Sequence, residues 1–243
     1  MAGIAKGRYR ARMADSLADI EAARRLRSRA FRLGEGVDAD EFDSRCQHVL
    51  IEDTASAQLV ACFRLLPIQS GPDVEGCYSA QFYDLTALHR FDAPMAEVGR
   101  FCIAPEVQDP NIIRLAWAAL TRFVDDSGTG MLIGCSSFQG TDPGPYAHAF
   151  ALLKDRHLAL RCWMPGIKAA EIVPFDQGAK ATVDEKQALR AMPPLLRTYL
   201  TMGGWVSDHA VIDRDLNTLH VFTGLEVSQI PAGRQRLLRQ TAG

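Results

Sequence analysis

Several chemistries are excluded by what this sequence lacks. Its six cysteines, at 46, 62, 77, 102, 135 and 162, include no C-x-x-C pair. Four of them sit in apolar runs where free thiols act as small hydrophobes, so a reduced, cytoplasmic chain is expected rather than a disulfide scaffold. The six histidines form no H-x-x-x-H or Cys/His cluster, which argues against a metal site. No apolar run approaches the roughly 20 residues needed to cross a bilayer, and the start has no hydrophobic signal core. Membrane contact is therefore expected to be peripheral at most, at the inner face of the cytoplasmic membrane. Charge is balanced at 27 basic against 29 acidic residues, so nucleic acid is not an expected partner. Basic residues do gather at the two ends, Lys6, Arg8, Arg10 and Arg12 at one and Arg234, Arg236 and Arg239 at the other, and read as solvated tails.

There is no repeat, low-complexity tract or linker either, so one domain over 1–243 is the simplest organisation. Asp15 or Ser16 can cap a helix running to about Leu33, before a break at Gly34-Glu35-Gly36. The runs 46–52 and 59–66 flank a polar 53–58 segment and read as an antiparallel hairpin. A strong strand is expected over 97–103. A helix follows over 111–124, with Asp109 or a neighbour as cap and Ser127-Gly128 as stop. A buried strand is expected at 131–138, a helix at 145–158, a short strand at 169–173 and a helix at 193–202 ended by Gly203-Gly204. Strands at 205–212 and 218–225 precede a basic terminal helix. Strands and helices interleave without strict alternation, which indicates an α/β (α+β) fold with a mixed sheet covered by helices.

The run Glu97-Val98-Gly99-Arg100-Phe101-Cys102-Ile103-Ala104-Pro105 places a carboxylate and a guanidinium inside an apolar strand. Burying either alone costs several kcal/mol, so the run reads as a structural ion pair or as the floor of a site. In a regular strand residues three apart point to opposite faces, and Gly99 suggests a bulge that re-aims one of the two. Arg27 and Phe31 share a helix face, and Asp40 and Asp43 follow in a loop; a helix-to-loop ion-pair cluster with Arg64 and Arg100 is one reading of them. Trp117, Trp163 and the methionines are assigned to core.

The order of Arg27-Ser28-Arg29-Ala30-Phe31, Asp40-Glu41-Phe42-Asp43, Cys46-Gln47-His48-Val49-Leu50, Ala61-Cys62-Phe63-Arg64-Leu65-Leu66-Pro67 and Glu97-Val98-Gly99-Arg100-Phe101 resembles the signature shared by autoinducer synthases and ornithine N-acyltransferases of the GNAT superfamily. The segments 134–143 and 193–222 and the arginine-rich end resemble the ornithine branch. The resemblance implies a GNAT-like, mostly antiparallel central sheet with a splayed parallel strand pair, the strand at 131–138 being the neighbour of 97–103. It implies transfer of a 3-hydroxyacyl chain from acyl carrier protein, a phosphopantetheine thioester co-substrate, to the α-amine of ornithine, with no bound cofactor.

Amide formation from a thioester needs a neutral amine, so a group must take a proton from the incoming ammonium, and Glu97 is the candidate. The resemblance further implies that Arg27, Phe31, Asp40, Asp43, Arg64 and Arg100 shape the acceptor pocket, and that Phe101, Cys102, Ile103, Ser136, Ser137 and Phe138 line the acyl-pantetheine arm. Two acids suit a substrate with two ammonium groups. Ser136 and Ser137 have no recognisable His-Asp partners, and direct transfer needs no nucleophile. The 105–111 loop lacks the glycine-rich turn that cradles a nucleotide pyrophosphate, which favours a carrier-protein donor. The acceptor is left open among ornithine, lysine, glutamine and glycine. Alternatives are an acyl-homoserine-lactone synthase or other N-acyl amino acid synthase, a non-enzymatic lipid-binding protein and a haemolysin-like protein.

Overall fold

The computed structural model describes residues 3–31, 36–175 and 183–242. In chain order its elements are strands β1 (Ile4–Lys6) and β2 (Tyr9–Met13), helix α1 (Leu17–Phe31), β3 (Gln47–Asp53), β4 (Gln58–Ile68), β5 (Tyr83–Asp84), β6 (Met95–Ile103), helix α2 (Pro110–Ser127) and β7 (Met131–Gln139). There follow helix α3 (Ala147–Arg156), β8 (Gly166–Ile167), β9 (Ile172–Pro174), helices α4 (Glu185–Ala191) and α5 (Pro194–Thr201), strands β10 (Trp205–Asp213) and β11 (Thr218–Glu226), and helix α6 (Ala232–Ala242). The fold class is the expected one, mixed and mostly antiparallel with one parallel pair and flanking helices. The expected break at 34–35 and the end of the first helix beyond Phe31 lie outside the described residues.

The chain divides into two compact units, each assembled from separate stretches: 1–67, 96–130 and 231–243 form the first, and 68–95 with 131–230 the second. In the first unit the strand order is β1-β2-β3-β4-β6. The β3–β4 hairpin pairs Val49 with Phe63 and Leu50 with Cys62. Strand alternation sends Leu50, Cys62 and Cys102 toward Ala23 and Leu26 of α1. Helix α2 packs against β1, β2 and β3. Asp109 caps α2 by accepting from the Asn111 N–H at 2.9 Å, Pro110 supplies the first turn, and Gly128 closes it at φ +66°, a left-handed position that glycine takes without a Cβ clash.

Both basic ends depart from the sequence reading, and the cap of α1 is one of the two it offered. The basic start is two strands rather than a solvated tail. Tyr9 and Ala11 are buried against β3, while Arg8 pairs with Asp53 and Arg12 bridges Glu52 at 2.7 Å and Asp19 at 2.6 Å. Of the two candidate caps, Ser16 accepts from the Asp19 N–H at 3.2 Å, and the Asp19 carboxylate reaches back to the Asp15 N–H at 3.1 Å. Arg239 of the basic terminal helix is also engaged, with Asp125 at 3.0 Å.

In the second unit the order is β7-β11-β10-β9, all antiparallel, with β11 paired along the full length of β7 from Thr218↔Gln139 to Glu226↔Met131. One face of this sheet (Phe138, Val206, Ala210, Leu219, Val221) packs on Ala149, Phe150 and Leu153 of α3, Ala188 of α4 and Leu196 of α5. Helix α4, capped by Asp184 onto the Gln187 N–H at 3.0 Å, has no counterpart in the sequence reading. The ring of Tyr83 covers the other face, 5.2 Å from His209 and 5.5 Å from Phe222. Trp163 meets Phe91 edge-on at 5.6 Å. Among the described residues no helix is long and apolar enough to cross a membrane.

Candidate active site

Helix α1, the short 3₁₀ turn Glu41–Ser44, β4 and β6 converge in the first unit on a buried set of aspartates and arginines. The turn is started by Asp40, whose side chain accepts from the Phe42 N–H at 3.1 Å. This brings Asp43 inward to meet three cations. Arg27 donates to it from Nη1 at 2.7 Å, Arg64 from Nη1 at 2.7 Å and Arg24 from Nε at 2.9 Å. Arg64 also holds Asp40, with Nη2 to Oδ2 at 2.7 Å, while its guanidinium lies 5.7 Å from the centre of the Phe42 ring. Asp38 takes Arg27 Nε at 2.7 Å and Arg100 Nε at 3.1 Å, and Arg100 reaches Asp40 with Nη2 at 3.1 Å.

Arg27, Asp40, Asp43, Arg64 and Arg100 thus form one network, the helix-to-loop ion-pair cluster that their spacing allowed. Arg24 and Asp38 belong to it and were missed. Arg24 lies three positions before Arg27 on the same helix, about one turn away, and Asp38 precedes Asp40 by the two-residue step of an extended loop. Burial acts to raise the pKa of Asp43, but Arg27 and Arg64 outweigh it and hold the carboxyl well below the usual carboxylate range. Burial likewise works against ionised Asp40, and Arg64 with Arg100 still brings it below its ordinary value. The Asp43 side chain is wholly inaccessible and that of Arg27 nearly so; Asp40 at 21% and Arg100 at 11% are more open to solvent than either.

Arg100 has φ +53°, a left-handed conformation that costs a residue with a Cβ about 1 kcal/mol. The expected irregularity in this strand therefore falls on Arg100 itself rather than on Gly99. Gly99 contributes space, since a Cβ there would lie 3.5 Å from Arg64 Nε. The left-handed residue breaks the alternation that would otherwise set Glu97 and Arg100 on opposite faces. Glu97 is buried. Burial pushes the neighbouring Cys46 thiol up to about 12, and the charges of Arg64, Glu97, Asp43 and Asp40 all reach it. Glu97 therefore lies within electrostatic reach of the same neighbourhood as the network. His48 Nε2 sits 3.0 Å from the Asp43 carbonyl oxygen, and burial lowers its pKa, which keeps the ring neutral.

The remaining candidates separate. Phe31, at the end of α1, packs with the α1-facing core rather than with the ion pairs. Cys102 belongs to that same core, its Sγ 3.6 Å from Cys62 Sγ. Phe101 and Ile103, on the other side of β6, are half-buried, with the Phe101 ring 5.8 Å from Phe63. In the second unit Ser136 accepts from Thr223 Oγ1 at 2.9 Å, Ser137 is exposed, and Phe138 is fully inside against Tyr146 and Phe150.

Residues 22–118, which carry α1, the network and β6, match the acetyltransferase (GNAT) domain family. The fold is also that of an N-acyl amino acid synthase from uncultured soil microbes, at a TM-score of 0.55 and 11% identity over 94% of this chain and 99% of that one. The fold and the site-bearing segment together are those of a GNAT-type domain. The sequence extends the match across the whole chain. It is 32% identical to the L-ornithine N(alpha)-acyltransferase of Brucella abortus over 92% of this chain and 86% of the relative, and 32% identical to that of Rhodobacter capsulatus over 88% of each. The chain belongs to the L-ornithine N(alpha)-acyltransferase family.

Proposed function

We propose that this protein moves a 3-hydroxy fatty acyl chain from acyl carrier protein to the α-amine of ornithine, working as one acyltransferase domain over 1–243. The reading is carried by the near full-length likeness to curated ornithine acyltransferases. In it Glu97 takes the proton of the incoming ammonium, directly or through one water. The freed amine attacks the thioester carbonyl, the C–N bond forms as the C–S bond breaks, and the departing pantetheine thiolate takes the second proton that the nitrogen gives up on becoming an amide. Asp40 and Arg100, at the more open edge of the network, meet the acceptor, Arg100 suiting its carboxylate and Asp40 an ammonium. Arg27, Asp43 and Arg64 fix that edge from behind, and Phe31 closes the helix end over the adjoining core. The pantetheine arm runs along the backbone of Phe101, Cys102 and Ile103, with Phe101 and Ile103 outward.

The start of α2 supports a donor without a nucleotide. A pyrophosphate would need free N–H groups there, yet Pro110 has none and Asp109 already occupies that of Asn111. Purified protein given 3-hydroxyacyl carrier protein and ornithine should release the carrier thiol and form N-acyl ornithine, read by mass spectrometry, with acyl-coenzyme A a poor substitute. Absence of that product alongside a lactone formed from S-adenosylmethionine would falsify the assignment in favour of an autoinducer synthase.

A further inference from the structure

In the second unit a surface cavity of about 390 Å³ is lined by Thr86, Ala87, His89, Arg90, Arg161 and Cys162. His89 already faces Glu75 at 2.9 Å. Arg90 and Arg161 differ, for among the described residues neither has an ion pair or hydrogen-bond partner. Two unneutralised guanidiniums on one cavity favour an anion, and their planar forks match phosphate oxygens.

The surroundings of the cavity are apolar where the surface should be wet. Leu160 is 64% exposed beside Arg161, and Ile167 is 60% exposed on β8, which pairs with β5 immediately before Thr86. The Trp163 N–H donates to the Leu160 carbonyl at 2.9 Å, closing the turn, and the Trp163 ring on Phe91 ties it to the segment that bears Arg90. Leu160 and Ile167 are thus exposed on segments that adjoin those bearing the two cations.

We propose that this face seats on a bilayer containing anionic phospholipid, with Arg90 and Arg161 taking a lipid phosphate at the cavity while Leu160 and Ile167 enter the headgroup boundary. An interfacial surface needs both components, apolar area to insert and cations to hold the charged surface. Charge complementarity alone would also suit an acidic protein, but the exposed aliphatic pair on the adjoining segments favours lipid. The choice of a bilayer rests in part on the proposed reaction, whose fatty-chain product belongs in a membrane.

The test is co-sedimentation of the full chain with vesicles of phosphatidylcholine alone and with added phosphatidylglycerol, at low and high salt. Binding should require phosphatidylglycerol and weaken with salt. The pair Arg90→Ala and Arg161→Ala should reduce it roughly tenfold or more, at about 1 kcal/mol for each cation near the surface. The pair Leu160→Ser and Ile167→Ser should also reduce it, with both variants keeping the wild-type melting temperature and their N-acylation rate on a soluble donor. Failure of the wild type to bind, or variants that bind like it, overturns the proposal. Intact vesicle binding with a raised KM for acyl carrier protein in the arginine variant overturns it too, assigning the face to that protein. Vesicle binding without any acyl transfer would sink only the reaction on which the choice of bilayer draws.

Discussion

Asp43 and Glu97 are both buried acids of the same unit, yet their surroundings ask opposite things of them. Asp43 is surrounded by Arg24, Arg27 and Arg64 and has no accessible side-chain surface. A carboxylate so saturated cannot take a proton or grip a substrate, and its work is to hold three cations in one place. Asp43→Asn leaves those cations under-compensated, and the cost of breaking a buried pair is about 3–5 kcal/mol. Urea unfolding should show that loss, and an Asn variant of near wild-type stability would mean that the network is not a structural core. Glu97 has the complementary expectation. Glu97→Gln keeps its volume and removes only its basicity, so turnover should fall about 10²-fold or more while the melting temperature barely moves. A loss of stability as large as the loss of rate would return Glu97 to a purely structural role.

At the scale of elements, β6 decides how the site is presented. Its left-handed residue carries a long side chain that bonds Asp38 and Asp40, so the strain is offset by two charged contacts. Arg100→Gly relieves about 1 kcal/mol of backbone strain while deleting both contacts. Stability should therefore change little while KM for the amino acid rises, and an unchanged KM would place the acceptor away from Arg100. Much of this frame was legible in the residues. The hairpin, β6, the caps of α2 and the stop at Gly203 follow from local chemistry, because alternation, Asx capping and left-handed glycine act within a few residues. The first two strands were not legible, since their arginines look solvated until Asp53, Asp19 and Glu52 are known to face them. The network was half legible: Arg27, Asp40, Asp43, Arg64 and Arg100 were chosen, while Asp38 joins through a loop geometry that spacing does not encode and Arg24 joins once the turn carries Asp43 to it. Cys102 and Phe138, which the resemblance assigned to the pantetheine arm, have side chains that pack against Cys62 and Phe150.

Taken as a whole the molecule carries two kinds of acid sensitivity, one from buried histidines and one from paired carboxylates. In the second unit His220 is buried beside Tyr83, His209 and Phe82. Burial, with a smaller contribution from His209, lowers its pKa from 6.5 to about 4. The unfolded chain thus binds the proton more readily than the folded one between those values, so stability rises with pH through that window. The contribution is complete above about 6.5 and is lost progressively as pH falls to about 4; a shift of this size corresponds to ~3 kcal/mol. In the first unit Asp40 and Asp43 have folded pKa values below their ordinary 3.8, so their contribution persists down to that value and is lost only as pH falls further, through the folded pKa. Acid should accordingly act through the buried histidines, His220 in the second unit and His48 in the first, before it acts through these carboxylates. Melting temperatures measured from pH 8 to pH 4 should decline below about 6.5, and His220→Asn, less stable at pH 8, should flatten that decline. A variant that keeps the full wild-type slope would show that another group carries the dependence. A decline that begins only below pH 4 would mean that the carboxylates of the first unit govern the whole chain.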